Sequence, residues 1–260
     1  MTDAEPLVRV AVDRGVATLT LDSPHNRNAL SSVLIAGLLD AIAETSGDDR
    51  VRVLVLTHTG PVFSSGVDLK ETAAALTAGA VPAARLGEVL AALWECPKPV
   101  VARVGGPARA GGLGIVAAAD IAVCAEEATF AFTEVRLGVI PAVISATVLR
   151  RLAPRAAVEL FLTGEVFDGV RAAQIGLATK AVPAAELDTE VARYVAALVR
   201  GAPAALAATK SLTRRPLAAS IRHDIAELTD LSVRFFTSDD GREGVAAFAE
   251  KRDASWVPRT

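Results

Sequence analysis

The chain has few of the residues that build disulfide-stapled or metal-bound folds. Only two cysteines occur in 260 residues, Cys96 and Cys124, and neither belongs to a CxxC pair or a Cys/His cluster. We therefore expect no disulfide framework and no zinc site, and we expect a reducing compartment. The three histidines are scattered, with none one helical turn from another, so no other metal site is expected.

Long apolar runs and an excess of positive charge are also missing. No stretch reaches the ~18 uninterrupted apolar residues that a membrane-spanning helix needs. The opening MTDAEPLVRV carries acids and a proline before any apolar run, unlike a secretory signal or a transit peptide. The net charge of −3 offers no basic surface to nucleic acid. We therefore expect a cytoplasmic protein that binds neither membrane nor nucleic acid.

Apolar residues are plentiful, at 52% of the chain, which is ample for a large buried core. In the first half, strand-like runs alternate with helical segments, which predicts an α/β protein with a mostly parallel sheet. Ser31 can cap the first helix, which we expect to end near Thr45, and a second helix is expected over Ala83–Glu95. The predicted strands are Val8–Val12, Val16–Leu21, Val51–Thr57, Pro99–Val104 and Ile121–Ala125.

After Ser145 the pattern predicts helices only. The last of them is amphipathic, and its apolar stripe indicates core packing or association with another copy. We divide the chain into a core over residues 1–200 and a helical region over residues 201–260. The predicted helices are Pro154–Leu162, Val170–Ile175, Glu186–Arg200, Pro203–Leu212 and Leu217–Phe236.

Residues Val104–Pro141 form the most informative segment, because a glycine turn, a short helix and a lone carboxylate follow one another there. The turn at Gly111–Gly112 can bring bare backbone N–H groups against an oxyanion, since glycine has no Cβ. Partial desolvation should raise the pKa of Glu134 towards that of a useful general acid or base. Alternatively, Glu134 caps a helix or pairs with Arg136 or Arg109. The apolar neighbours of this glutamate are Phe130, Phe132, Val135 and Leu137.

The same segment matches the dinucleotide-binding pattern G-x-G-x-x-A at Gly112, Gly114 and Ala117. That pattern requires the first glycine directly after a strand, whereas several residues follow the strand that ends at Val104. The helix is also too short for a βαβ crossover. We therefore set the dinucleotide interpretation aside.

Several separated motifs, in this order along nearly the whole chain, resemble the enoyl-CoA hydratase/isomerase or crotonase superfamily. They include SPHNRNALS at Ser23–Ser31, FSSGVDLK at Phe63–Lys70, PKPVVARVGG at Pro97–Gly106 and the tail at Ser238–Trp256. The resemblance implies a crotonase-like ββα spiral core with a C-terminal helical trimerisation region. It also implies an acyl-CoA thioester substrate, homotrimers or hexamers, and no cofactor beyond the CoA of the substrate.

The resemblance assigns roles to individual residues. The N–H groups of Val67 and Gly111 would form an oxyanion hole for the thioester enolate, and Glu134 matches the second catalytic glutamate of the family. The resemblance assigns the remaining residues to CoA binding. Four of them lie in FSSGVDLK: Ser65 through the backbone of Ser64–Ser65, Asp68, Leu69 and Lys70. Phe248 and Lys251, in the tail, would reach the nucleotide of an adjacent protomer.

One position departs from the hydratase pattern. Where the hydratases of the family carry a first glutamate, this chain has Gly114. A single carboxylate suits a Δ3,Δ2-enoyl-CoA isomerase, because one group can carry a proton between two carbons of the same acyl chain. GGLGIVAAADI and AFTEVRLGVIPAVIS, however, resemble a bacterial branch assigned to 3-methylglutaconyl-CoA and related hydratases. There a substrate carboxylate would need a cation, for which Arg109 is the candidate.

We interpret the chain as an enzyme that adds water reversibly to an α,β-unsaturated acyl-CoA, with Glu134 as acid and base. Two alternatives remain open. One is the isomerase, and the other is a non-catalytic acyl-CoA-binding protein, which the glycine at position 114 favours and the retained glutamate disfavours.

Overall fold

A computed structural model of the chain describes residues 6–68, 70–72, 85–215, 234 and 238–257, with only the backbone given at residues 248 and 249. Leu69 and, apart from Arg234, the predicted helix Leu217–Phe236 lie outside the described residues. The predictions for them stay predictions.

A six-stranded sheet forms the centre of the molecule. In spatial order its strands are β1 Val8–Asp13, β2 Val16–Leu21, β3 Val53–His58, β4 Val100–Val104, β6 Ile121–Ala125 and β9 Lys180–Val182. β1 and β2 form an antiparallel hairpin, and every later pair in the sheet is parallel. The prediction of a mostly parallel sheet is therefore confirmed.

A second, three-stranded sheet consists of β5 Ala108–Arg109, β7 Thr129–Ala131 and β8 Phe167–Asp168. The prediction of helices only after Ser145 was wrong, because β8 and β9 lie there. Both strands are two or three residues long, too short to show a period-2 pattern, and pairing with earlier strands specifies them. Phe167 stacks on Phe130 with ring centroids 5.7 Å apart, which holds β8 in place.

Helices cover the sheets. Ser31 caps the first of them, since its Oγ accepts the Leu34 N–H at 3.3 Å, as predicted. Proline begins two others, at Pro154 and Pro203, where the missing N–H costs nothing. The helices are α1 Ser32–Gly47, α2 Leu86–Glu95, α3 Gly111–Ala118, α4 Ala142–Val148, α5 Pro154–Thr163, α6 Gly169–Gln174, α7 Leu187–Leu198, α8 Pro203–Arg214 and α9 Asp239–Glu250.

The short helix α3 lies in the core, and all eight of its residues are buried. It packs between α2 and α4 and beside β5. A helix that is apolar all round is a core helix, which explains its composition of glycine, alanine, valine, leucine and isoleucine. The first turn of this helix is therefore held rigidly from several sides.

The described helices beyond residue 200 pack against the core. Lys210 and Arg214 of α8 both pair with Asp120, with 2.7 Å between Lys210 Nζ and Asp120 Oδ2. In the tail, the Trp256 Nε1–H donates to the Arg200 carbonyl at 2.9 Å. The boundary between a core and a helical region at residue 200 stays a prediction.

Among the described residues, no single helix is long and apolar enough to cross a membrane. One helix pair, Ala184–Leu198 with Pro203–Arg214, meets the length and composition test only when joined across a bend of 108°.

Candidate active site

Two loops lie side by side at the carboxyl edge of the main sheet, because neighbouring parallel strands end there together. Residues 59–67 follow β3 and residues 105–111 contain β5 and follow β4. The Phe63 N–H donates to the Pro107 carbonyl at 3.0 Å, and the Arg109 N–H donates to the Ser64 carbonyl at 3.0 Å. Gly66, with φ +88°, completes the contact, since a Cβ there would lie 3.0 Å from the Arg109 carbonyl oxygen.

The two predicted oxyanion donors belong to these loops and are neighbours. A Cβ built on Gly111 would lie 3.8 Å from Cγ2 of Val67. The Leu30 N–H donates to the Gly66 carbonyl at 2.8 Å, which makes a parallel bridge between Leu30 and Val67. In such a bridge the N–H of Val67 faces away from Leu30. The structure therefore brings Val67 and Gly111 together, as the prediction requires.

Both N–H groups are without an acceptor in the part of the chain that the structure describes. The Gly111 N–H is one of the first four of a helix, which have no partner within it. Unpaired donors at the start of a helix favour a negatively charged ligand. The arrangement can therefore receive an oxyanion.

The strained residue of the second loop is Ala110, which precedes the helix with φ 46° and ψ −113°. Neither Gly111 nor Gly112 has a positive φ. A Cβ on Gly111 would lie 2.9 Å from Leu30 Cδ1, and one on Gly112 would lie 3.0 Å from Ser64 Cβ. The glycines thus allow α3 to pack closely on Leu30 and Ser64.

A backbone contact between the second loop and β7 positions Glu134. The Ala110 N–H donates to the Ala131 carbonyl at 3.2 Å, which extends the pairing of β5 with β7. Glu134 follows that strand closely and opens the short 3-10 helix Glu134–Leu137. The backbone that leads into Glu134 is therefore bonded to the loop that carries the Gly111 donor.

Glu134 Oε2 is buried and has no hydrogen-bond partner among the described residues. This burial raises the pKa of the Glu134 carboxyl above its ordinary value, in the direction that the sequence predicted. The alternative ion pairs are absent from the described residues. Arg136 donates to the Thr163 carbonyl, and Arg109 donates to Thr129.

Gly114, one turn along α3 from the Gly111 donor, is packed tightly. A Cβ at this position would lie 2.7 Å from Ile144 Cγ2 and 3.3 Å from Leu90 Cδ1. These side chains, from α4 and α2, already occupy the space that a side chain at 114 would need. A glutamate there would require both neighbours to move.

The structure directs the Arg109 guanidinium towards its own sheet. Nη1 donates to the Thr129 carbonyl at 2.5 Å and to the Ala108 carbonyl at 2.9 Å, and Nη2 donates to Thr129 Oγ1 at 2.9 Å. Partial burial lowers the pKa of the Arg109 guanidinium. Binding a substrate carboxylate would compete with these bonds, and this role of Arg109 stays a prediction.

The predicted CoA residues of the first loop have local roles in the structure. Asp68 Oδ1 accepts the N–H of Lys70 at 2.9 Å and of Glu71 at 3.1 Å, so it caps the helical turn that follows. Lys70 is exposed, and the Ser65 N–H donates to the Arg27 carbonyl at 3.0 Å. Their contacts with CoA stay predictions.

Lys251 is exposed and directly follows α9. Burial lowers the pKa of the Arg52 guanidinium, and the negative charge of Asp240, on α9, opposes that shift, so the start of α9 lies near Arg52. Arg52 precedes β3, at the opposite end of that strand from the donor loop. The prediction for Lys251 and Phe248 concerns an adjacent protomer and is not tested within one chain, and the Phe248 side chain lies outside the described residues.

Sequence reasoning missed Asn28, which is fully buried and has φ +50°. Its Oδ1 accepts the Ser23 N–H at 2.7 Å, and its Nδ2 donates to the carbonyls of Thr59 at 3.0 Å and Val62 at 2.8 Å. The asparagine therefore shapes the loop that ends at Val67. SPHNRNALS contained it, but apolar periodicity gives no signal for a side chain that bonds to a distant backbone.

Comparison with known proteins defines the class. The family model described as Enoyl-CoA hydratase/isomerase matches residues 11–259. The solved enoyl-CoA hydratase of Mycobacterium smegmatis is 34% identical, with a TM-score of 0.88 over 97% of this chain and 99% of that one. An enoyl-CoA hydratase from Mycobacterium avium is 42% identical, with a TM-score of 0.74 over 97% and 100%. The carnitinyl-CoA dehydratase of Salmonella arizonae is 32% identical over 96% of this chain and 97% of its own.

The fold is thus that of the crotonase superfamily, a class of enzymes. More particularly, the chain belongs to the enoyl-CoA hydratase/isomerase family.

Proposed function

We propose that the protein adds water reversibly across the α,β double bond of an enoyl-CoA. The observation that carries this proposal is that Glu134 Oε2 is buried and has no hydrogen-bond partner among the described residues. Glu134 follows β7, whose Ala131 carbonyl is bonded to Ala110 in the loop whose Gly111 N–H has no acceptor within the described chain. Similarity to proteins named as a hydratase and a dehydratase supports water as the added group.

In this proposal the thioester oxygen accepts hydrogen bonds from the N–H groups of Val67 and Gly111. Addition to the double bond turns the thioester into an enolate, which concentrates negative charge on that oxygen. Each donor then stabilises the enolate more than the neutral thioester, and losing one such donor typically costs about 3 kcal/mol in the barrier. The start of α3 adds the positive end of its dipole.

Glu134 moves the proton. As a carboxylate it takes a proton from water, whose oxygen forms a bond to the β carbon as the double bond opens to the enolate. The protonated Glu134 then gives its proton to the α carbon, which completes the addition and regenerates the carboxylate. A carboxyl group with a raised pKa suits both steps, because it is a stronger base than a solvated one and is still an acid.

Isomerisation of a 3-enoyl-CoA to a 2-enoyl-CoA is the second candidate. The packing of Ile144 against Gly114 favours it, because it leaves Glu134 as the carboxylate of the site. One carboxylate can remove a proton from the α carbon and return it to the γ carbon of the same acyl chain.

Isotope-labelled turnover separates the candidates. Wild-type protein is given 2-enoyl-CoA and 3-enoyl-CoA thioesters of four to ten carbons in H₂¹⁸O, and products are analysed by mass spectrometry. The hydratase proposal predicts ¹⁸O in the product from 2-enoyl-CoA. Conversion of 3-enoyl-CoA without incorporation of ¹⁸O would contradict the hydratase proposal and support the isomerase. Binding without turnover would indicate a non-catalytic acyl-CoA-binding protein.

Branched, 3-methylglutaconyl-like substrates are a finer part of the proposal, for which the substrate carboxylate would bind Arg109. Comparing Arg109→Gln with wild type on methylglutaconyl-CoA and crotonyl-CoA tests it. We expect the KM to rise only for the carboxylated substrate. Equal effects on both substrates would mean that Arg109 stabilises the sheet and does not bind the substrate carboxylate.

We also propose that the protein forms homotrimers or hexamers and is cytoplasmic. Exposed apolar side chains near the site support self-association, for example Ile140 at 75% and Leu162 at 73% exposure. The free, buried Cys96 and Cys124 suit a reducing compartment. Sedimentation velocity tests the assembly, and a monomer at micromolar concentration would refute it.

A further inference from the structure

We propose that Ser64 is a positioning residue that sets the placement of both N–H donors. The inference rests on the proposed function, because it assumes that Val67 and Gly111 bind the thioester oxygen. Ser64 is fully buried between the two donor loops. It therefore acts on the substrate only through its neighbours.

The hydroxyl of Ser64 orients the Val67 donor. Ser64 Oγ donates to the Asn28 carbonyl at 2.9 Å and accepts the Gly66 N–H at 3.2 Å. The carbonyl of Gly66 accepts the Leu30 N–H at 2.8 Å. The peptide that carries the Val67 N–H is thus held on its carbonyl by Leu30, and the Gly66 backbone next to it is held by the serine.

The backbone of Ser64 holds the other loop. Its carbonyl accepts the Arg109 N–H at 3.0 Å, and its own N–H donates to the Pro107 carbonyl at 3.3 Å. Its Cβ also meets the start of α3, since a Cβ on Gly112 would lie 3.0 Å away. Ser64 therefore contacts the chain both before and after the Gly111 donor.

The hydroxyl is buried and bonds to the protein in both directions, as a donor and as an acceptor. It uses its one proton on Asn28, whose side chain ties down the carbonyls of Thr59 and Val62. An oxyanion hole requires donors within a few tenths of an ångström of their working positions. Ser64 supplies that constraint before substrate binds, because its hydroxyl is bonded to Gly66 in the first loop and its backbone is bonded to the second loop.

The test removes the hydroxyl in Ser64→Ala. We expect kcat to fall about 10- to 100-fold, as for partial loss of an oxyanion donor, while KM changes less than about threefold. Polarisation of the thioester is read directly with 4-(dimethylamino)cinnamoyl-CoA, whose absorption moves to longer wavelength when its carbonyl accepts strong hydrogen bonds. The shift should be large with wild type and smaller with Ser64→Ala.

Thr45→Val is the matched control, because it removes another buried hydroxyl, which donates within α1 to the Ala41 carbonyl at 2.6 Å. It should lower thermal stability yet leave the absorption shift and kcat unchanged. Ser64→Cys keeps a weaker donor and acceptor of similar size and should restore part of the shift. If Ser64→Ala does not fold, the cysteine variant replaces it and should show a shift smaller than that of wild type.

The outcomes separate the inference from the proposed function. No shift with wild type would mean that the two N–H groups do not bind the thioester oxygen, which would refute the proposed site. A wild-type shift that stays the same in the Ser64 variant measured, with kcat within about twofold, would overturn the role of Ser64 alone.

Discussion

Ile144 Cγ2 lies 2.7 Å from the point where a side chain on Gly114 would begin, and Ile144 itself is buried, at 3% exposure. The glycine is therefore matched by its neighbour on α4. Because Ile144 fills the space beside Gly114, this position has no room for a second acid or for a bulkier acyl group.

This packing predicts strong coupling between positions 114 and 144. A glycine-to-alanine change inside a helix normally stabilises by about 1 kcal/mol. Here Gly114→Ala should instead lower the free energy of unfolding by about 1–3 kcal/mol, because the added methyl overpacks the core. In Gly114→Ala/Ile144→Ala the loss should be smaller than the sum of the single losses by at least about 1 kcal/mol in denaturant titrations.

Gly47→Ala is the control for that series, since a Cβ there meets nothing within 4 Å. It should be neutral or stabilising. Additive losses at positions 114 and 144 would contradict the packing argument.

Glu134→Gln should abolish turnover and at the same time stabilise the fold. Burial raises the pKa of this carboxyl, so at pH 8 the folded state holds a charge that it disfavours. The sign follows directly: a raised carboxyl pKa destabilises the folded state above that pKa, and the effect disappears as pH falls below 4.5, the ordinary value. The melting temperature of Glu134→Gln should exceed that of wild type at pH 8, and the difference should shrink in acid.

Glu127→Gln, at an exposed position on the preceding turn, should change neither quantity. A Glu134→Gln protein that turns over enoyl-CoA at the wild-type rate would show that another group moves the proton.

Stability should fall in mild acid because of His58. Its Nε2 accepts the Gly105 N–H at 3.1 Å, which links the ends of β3 and β4 from which the donor loops start. Burial, together with the charge of Arg103, lowers the pKa of His58 below the usual 6.5. The unfolded chain therefore takes up a proton first, so stability is complete above about pH 6.5 and decreases as pH falls towards the folded pKa.

Urea denaturation of wild type and His58→Gln between pH 7.5 and 5.5 measures this effect. Glutamine can still accept the Gly105 N–H but does not titrate, so its variant should lose less stability over that range. Equal losses in the two proteins would remove His58 from the explanation, and His25→Gln, at an exposed position, serves as the control.

The strain at Ala110 should also be measurable. Its φ of 46° with ψ −113° is a conformation that glycine adopts readily and alanine does not. Ala110→Gly should raise the free energy of unfolding by about 0.5–2 kcal/mol. Ala117→Gly, at an ordinary helical position on α3, should lower it by about 1 kcal/mol or more. A loss of stability in both variants would show that Ala110 is not strained.

The sequence was sufficient where a single segment carries its own signal. β3 and β6 are continuous apolar runs because parallel strands are buried on both faces, and Ser31 caps α1 through its own side chain. Chain order and motif resemblance also indicated Gly111 and Glu134, although their chemical roles remain predictions.

Other features depend on segments that meet only in the folded chain. The strands β5 and β7 have two and three residues and exist through their pairing with each other and with β8. The roles of Asn28 and Ser64 depend on bonds between residues more than 30 positions apart. No local period in the sequence records such contacts.

The most direct test of the central claim is a crystal structure of the protein with a bound, slowly reacting enoyl-CoA. The account predicts the thioester oxygen about 2.7–3.1 Å from the nitrogens of both Val67 and Gly111, with a Glu134 carboxylate oxygen within reach of the α and β carbons directly or through one water. A thioester carbonyl bound away from these nitrogens, or Glu134 separated from the reacting carbons by more than one water, would contradict it.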